Sequence, residues 1–422
     1  MDALFQPLTH LTDRIRAAAA DGTSLRIRGG GTKDFYGNAG NVCNAPFAGQ
    51  LLDTAPLQGI TSYEPSELVV TVRAGTPLAE LEALLAEHGQ CFPFEPPHFT
   101  SGDSAGGTVG GMVAAGLSGP GRASVGAVRD YVLGATLING RAEVLTFGGQ
   151  VMKNVAGYDV SRVLAGSLGV LGVIAEVSLK VLPMAPAEAT LRFDCTQADA
   201  LRLLNGWGGQ PLPLNASCWV NDAANGAQST AQKGASNEPP VKPDVGSLYL
   251  RLRGAVAAVQ AACAKLGGER QDTAVAALDW EACRHQTLPW FTRQGAHDLW
   301  RLSVPQTAPV LASTQVGNAS PLIEWHGAQR WYAVPVDDAE KADRAGIALR
   351  AAALAAGGHA SLFRAGSVAS ADAGRGPRDD QPARDFPRFA PLSPAVLRIH
   401  QALKHEFDPR GIFNRGRLHA DF

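Results

Sequence analysis

The chain has 422 residues, 45% of them hydrophobic and 18% charged, which exceeds the size at which a single core stops growing and reads as a globular protein of two domains. Lys plus Arg total 37 against 39 Asp plus Glu, and the formal net charge of -2 leaves no basic surplus for nucleic acid or anionic lipid. The six cysteines (Cys43, Cys91, Cys195, Cys218, Cys263, Cys283) form no CxxC or CxxH pair, so zinc-ribbon and iron–sulfur spacings are absent and no bound metal is expected. They read as reduced, packing thiols. The N-terminus lacks a basic segment leading into a long apolar core, and no uncharged apolar run approaches the ~20 residues of a membrane span. The expectation is a soluble, cytoplasmic protein.

Leu8, Leu11 and Ile15 share one face of an opening helix that ends near Asp21-Gly22. Leu25-Arg26-Ile27-Arg28 alternates as a short strand and runs straight into Gly29-Gly30-Gly31. Leu68–Val72 is a second strand; Thr76 then reads as an N-cap with Pro77 at N1 of a helix carrying Leu78, Leu81, Leu84 and Leu85. Further strands are expected at Tyr131–Ile138, Val144–Phe147 and Val173–Leu182. After Pro183 and Pro186 the composition shifts. Strand patterns resume at Leu191–Phe193, Leu248–Leu252 and Arg330–Val334, with an Ala-rich helix over Val256–Leu266. Residues 221–246 and 365–391 read as long exposed loops, and Ser393-Pro394 caps a last helix through Val396, Leu397, Ile399 and Leu403. This mixture is α+β, with boundaries expected at 1–186, 187–391 and 392–422.

Three glycine-rich stretches carry the chemistry. In Arg28-Gly29-Gly30-Gly31-Thr32-Lys33 the missing Cβ atoms let successive N–H groups turn inward as an anion nest, flanked by cations. The spacing is neither a dinucleotide fingerprint nor a Walker loop. The second stretch, Gly106-Gly107-Thr108-Val109-Gly110-Gly111 continuing to Gly116, Ser118 and Gly119, admits a large flat ligand; its alternative is a tightly packed Gly/Ala helix. The third combines Lys153–Asp159 with glycines at 166, 169 and 172 leading into the strand at Ile174.

Taken in order, RGGGTK, TVGGMVAAGLSGP, VGAVRDYVLG, VMKNVAGYDVSR and GSLGVLGVIAEVSLKVLP resemble the FAD domain of the vanillyl-alcohol-oxidase-like, or PCMH-type, flavoproteins. The KNVAGYD and VRDYVLG blocks, with a C-terminal FDPRGIFNRGRL, are similar to the FAD-binding subunits of glycolate oxidases; Arg415 stands where that family's block has proline. The resemblance implies a two-part FAD domain with a smaller α/β cap. It places Gly29, Gly30, Gly31, Thr32 and Lys33 against the FAD pyrophosphate. Thr108, Gly110, Gly111, Ser118 and Gly119 belong to the second loop, and Gly172 and Ile174 to the adenine side. It further implies oxidation of glycolate to glyoxylate beside a second flavin subunit and an iron–sulfur subunit, with peripheral attachment to the inner face of a membrane through those partners. The first loop lacks the histidine that tethers flavin covalently in related proteins, so the expected FAD is non-covalent.

A catalytic base is not legible. None of the ten histidines forms HxH or HExxH, and Glu324-Trp325-His326 is the nearest approach to an acid–base pair. Arg251, Arg253, Arg293 and Arg301 offer positive charge for a substrate carboxylate, with nothing to select one. Two other readings stand beside the complex subunit: a self-sufficient 2-hydroxy-acid dehydrogenase or oxidase, and a FAD-holding relay without substrate chemistry of its own.

Overall fold

The computed structural model describes residues 2–38, 49–99, 106–149, 159–221, 245–292, 296–311, 320–366 and 386–420. Two compact units divide the chain: Met1–Ser118 with Gly126–Met184 and Pro382–Phe422, and Gly119–Val125 with Ala185–Gln381. The short segment 119–125, which the sequence does not set apart, groups with the second unit. Among the described residues no helix is long and apolar enough to cross a membrane.

In the first unit the helix Asp2–Asp21 buries Leu11, Ile15 and Ala18 against the strands Leu25–Arg28 and Gln50–Asp53, which pair in parallel. A five-stranded antiparallel sheet runs in the order Ile60–Glu64, Val69–Arg73, Val173–Lys180, Val132–Ile138, Val144–Gly148. Its central strand Val173–Lys180 is buried almost throughout, whereas the edge strand Val144–Gly148 alternates exposed and half-buried residues, as central and edge positions require. The helix Leu78–Glu87 packs Leu78, Leu81 and Leu85 into this core. Its N-cap is Pro77, one residue later than expected. Thr76 is instead fully buried, its hydroxyl accepting from Gly59 N–H at 3.0 Å, so a loop contact outcompetes the cap.

The C-terminal helix Pro394–Phe407 starts at Ser393, whose Oγ accepts from Val396 N–H, and returns to this unit. Lys404, 5% exposed, donates to Asp408 Oδ2 (2.7 Å), Val170 O (2.8 Å) and Phe413 O (2.9 Å). A buried ion pair with every remaining valence satisfied locks the tail to the third glycine stretch.

The second unit is an eight-stranded antiparallel sheet ordered Glu269–Arg270, Ala187–Thr196, Val245–Gly254, Leu214–Val220, Leu322–Glu324, Gln329–Pro335, His297–Ser303, His359–Arg364. Leu191, Trp219 and Leu250 pack on one face with Leu201 and Leu204 of the helix Gln197–Gly208 and Val259 of Val256–Leu266. The helices Gln197–Gly208, Thr273–His285 and Ala339–Ala355 were not anticipated: the last two mix alanine and polar residues too evenly for a clear apolar stripe, whereas the first carries one at Ala200, Leu201, Leu204 and Trp207 that sequence reasoning missed.

Candidate FAD site

Gly29, Gly30, Gly31, Thr32, Lys33, Thr108, Gly110, Gly111, Gly172 and Ile174 all line one open cleft in the first unit. The first loop is launched by the strand Leu25–Arg28, and Arg28 O is held by Thr54 N–H at 2.9 Å and Thr54 Oγ1 at 3.2 Å. Among the described residues the N–H groups of Gly30, Gly31, Thr32 and Lys33 donate to no protein acceptor, which leaves them available to an anion. The second loop is zipped to residues 74–78: Leu78 N–H donates to Gly107 O (2.8 Å), Val109 N–H to Thr76 O (3.0 Å) and Gly110 N–H to Ala74 O (2.7 Å). It then enters the short helix Val109–Ala115, whose N-cap Thr108 accepts from Gly111 N–H. The loop and packed-helix readings of this stretch thus each hold for part of it.

The glycines are glycines for different reasons. A Cβ on Gly30 would lie 1.8 Å from Gly106 O, so the two loops touch backbone to backbone there; one on Gly110 would lie 2.6 Å from Ala74 Cβ. At Gly111 a Cβ would meet only Thr108 Oγ1, at 3.2 Å, and would otherwise stand in the open cleft. Contact between the loops therefore accounts for Gly30, whereas Gly111 keeps space open in the cleft.

Lys33 is 8% exposed, and its ammonium lies 3.4 Å from Thr32 Oγ1 and 5.8 Å from the Phe99 ring centre. Burial lowers its pKa to about 8, opposed by the Glu82 carboxylate, which itself pairs with His98 Nε2 at 2.8 Å. Arg28 is engaged by Asp34 at 2.8 Å.

Sequence reasoning missed Asn414 and Arg417, both buried and both lining the cleft. Asn414 Oδ1 accepts from Ile27 N–H (2.9 Å) across 387 residues, and its Nδ2 donates to Leu168 O (2.7 Å), joining the strand before the first loop to the third glycine stretch. Arg417 donates to Lys33 O (3.1 Å) and Tyr36 O (3.3 Å), bracing the first loop from behind. Their signal was the C-terminal block itself. Arg415 lies outside the cleft, with its guanidinium on Gly411 O and Gly22 O, so the departure from proline leaves the cleft-facing residues in place.

Ser118 and Gly119 are not among the cleft's lining residues. Ser118 Oγ accepts from Val128 N–H (3.3 Å), and Gly119 O accepts from Trp325 Nε1 (3.0 Å) within the second unit. Residues 153–158 of the third motif lie outside the described residues, as does Arg293.

In the second unit Glu324 and His326 do not pair. Glu324 accepts from Cys283 Sγ (3.0 Å), Gln329 Nε2 (2.9 Å) and Trp331 Nε1 (2.5 Å). His326 Nε2 faces Ser124 Oγ at 3.1 Å; its Nδ1 has no partner, and burial lowers its pKa to about 4. The remaining arginines are committed as well: Arg251 to Asn215 Oδ1 (2.6 Å), Arg253 to Glu188 (2.5 Å), and Arg301 over Phe363 at 5.2 Å.

The cleft passes a test for FAD on its own chemistry. Free N–H groups and a buried ammonium suit a pyrophosphate, while Ile27, Ala74, Ala114, Leu168 and Ile174 offer apolar walls to flat rings. Fold and cleft define a PCMH-type FAD-binding protein: the FAD binding domain family matches residues 6–148, and alkyldihydroxyacetonephosphate synthase superposes with a TM-score of 0.62 over 96% of this chain and 75% of that one, at 15% identity. The chain belongs to the family of glycolate oxidase subunit GlcE, being 39% identical to the Escherichia coli K12 protein over 411 residues, 97% of each chain. It is also 30% identical to a mitochondrial D-lactate dehydrogenase of Arabidopsis thaliana over 35% of this chain and 25% of the relative, and 27% identical to glycolate oxidase subunit GlcD of Bacillus subtilis over 37% and 33%.

Proposed function

We propose that this chain is the FAD-binding subunit of a complex that oxidises glycolate to glyoxylate. The observation that carries the reading is the likeness to a glycolate oxidase subunit over 97% of both chains. Gly30, Gly31, Thr32 and Lys33 hold the pyrophosphate through N–H groups and the ammonium; Gly111 gives the ligand room; Gly172 and Ile174 line the adenine side. Bound FAD supplies a two-electron acceptor for the oxidation of an alcohol carbon to a carbonyl. The attachment is non-covalent, since none of the described residues lining the cleft is histidine, cysteine or tyrosine.

This subunit works in the cytoplasm beside a second flavin subunit and an iron–sulfur subunit, which bring it to the inner face of the membrane. Two features support that division of labour. Glu324 is fully engaged away from His326, so the nearest candidate acid–base pair is not assembled. Among the described residues no cluster of histidine, cysteine and carboxylate side chains is fit to hold a metal, which leaves electron relay to a partner. The test is anaerobic mixing of the purified chain with glycolate while flavin absorbance is followed. Little bleaching alone and rapid bleaching with the partner subunits is expected. Rapid bleaching by the isolated chain, abolished by His326→Ala, would assign the chemistry to this chain instead.

A further inference from the structure

The second unit contains a cavity that flavin binding does not use. Its sheet buries Leu191, Trp219 and Leu250 on one face, and strand alternation sends Thr190, Cys218 and Tyr249 to the other. The helix Thr273–His285 lies over that second face, fastened by Trp280 Nε1 to Thr190 Oγ1 at 2.9 Å and by Cys283 Sγ to Glu324 Oε1 at 3.0 Å. Between helix and sheet remains a pocket with Tyr249, Trp280, Trp290 and Leu288 in its walls and the exposed Val275, Asp279 and Pro289 at its mouth. The two indole rings and the phenol ring give it flat walls suited to a ring system.

The lining chemistry selects the ligand. Cys218 and Cys283, 5% and 4% exposed, form part of the lining, and contact with Cys218 together with burial holds the Cys283 thiol protonated. Immediately behind them stands the Glu324 carboxylate, and Asp279 also lines the cavity. Among the described residues no lysine, arginine or histidine lines the space; the nearby Arg251 is turned to Asn215 and stacked 4.9 Å from the Trp280 ring centre. A carboxylate entering past the exposed Asp279 toward the buried Glu324 would give up water against two like charges, which is unfavourable. Flat aromatic walls, by contrast, favour offset stacking with a planar ring.

We propose that this cavity is a second ligand site, which takes a neutral, planar, largely apolar ring compound and excludes 2-hydroxy acids. The test is calorimetric titration of the flavin-loaded full chain with 2-naphthol and, separately, 2-naphthoate. Saturable one-to-one binding of 2-naphthol is expected, with 2-naphthoate at least about tenfold weaker because its charge must be desolvated. Ala276→Phe, which fills the cavity, should weaken 2-naphthol at least about tenfold while flavin content is unchanged. Should that variant fail to fold, Ala276→Leu, a smaller intrusion, should weaken 2-naphthol in the same direction at unchanged flavin content. Absence of saturable binding, equal binding of 2-naphthoate, or wild-type affinity in the filled variant would overturn the proposal.

Discussion

Lys33→Met isolates the buried cation of the FAD cleft. Methionine keeps the length of the side chain and removes only its charge and hydrogen-bond donors. Lys33 is 8% exposed, so solvent screens its charge little, and a hydrogen bond to a charged group is worth about 1.5–3 kcal/mol. The variant should therefore hold FAD about 10- to 150-fold more weakly. The pH dependence supplies an independent sign. In the flavin-free chain burial brings Lys33 to about 8 from its ordinary 10.5, and a pyrophosphate beside it must raise that value. FAD binding is then at full strength below pH 8 and weakens above it, as the free chain loses a proton that the complex keeps. Folding of the flavin-free chain responds in the opposite sense. Between about 8 and 10.5 the unfolded chain binds the extra proton, so the Lys33 contribution to stability rises with pH. Equilibrium fluorescence titration of flavin-free protein between pH 7 and 10 measures the first effect and urea denaturation the second. A Lys33→Met variant with wild-type affinity, or a wild-type affinity that stays flat from pH 8 to 10, would refute the role given to Lys33.

The two glycines at positions 30 and 111 should separate. Gly30→Ala forces Gly106 away and is expected to lower both thermal stability and flavin content, whereas Gly111→Ala should lose flavin with little change in the melting temperature of the flavin-free chain. Asn414→Ala leaves Ile27 N–H and Leu168 O buried without a partner, and chemical denaturation should show a loss of about 2–4 kcal/mol together with weaker flavin retention. Lys404→Met strands the Asp408 carboxylate and should cost about 3–5 kcal/mol in the same assay. Acid denaturation of the yellow protein should release all of its flavin into the supernatant; colour retained in the precipitate would mean a covalent bond.

What the sequence determined by itself was whatever depends on neighbours along the chain. The strand Leu25–Arg28 breaking into three glycines, the helix Val256–Leu266 and the Ser393-Pro394 start of the last helix are each set by local periodicity and backbone chemistry, and each stands where it was expected. The ordered glycine motifs likewise marked ten residues that share one cleft. Tertiary structure decided what depends on residues distant in sequence. It brought Asn414 and Arg417 to a loop nearly 390 residues earlier, because Lys404 ties the last helix to Val170 O and the following residues bridge to Leu25. It removed Ser118 and Gly119 from the cleft lining and gave Gly119 O to Trp325, a competition between acceptors that no local pattern encodes. It also divided the glycines by cause, Gly30 set against the other loop and Gly111 facing the open cleft. The sequence shows that a side chain is missing; only the fold shows what occupies its place.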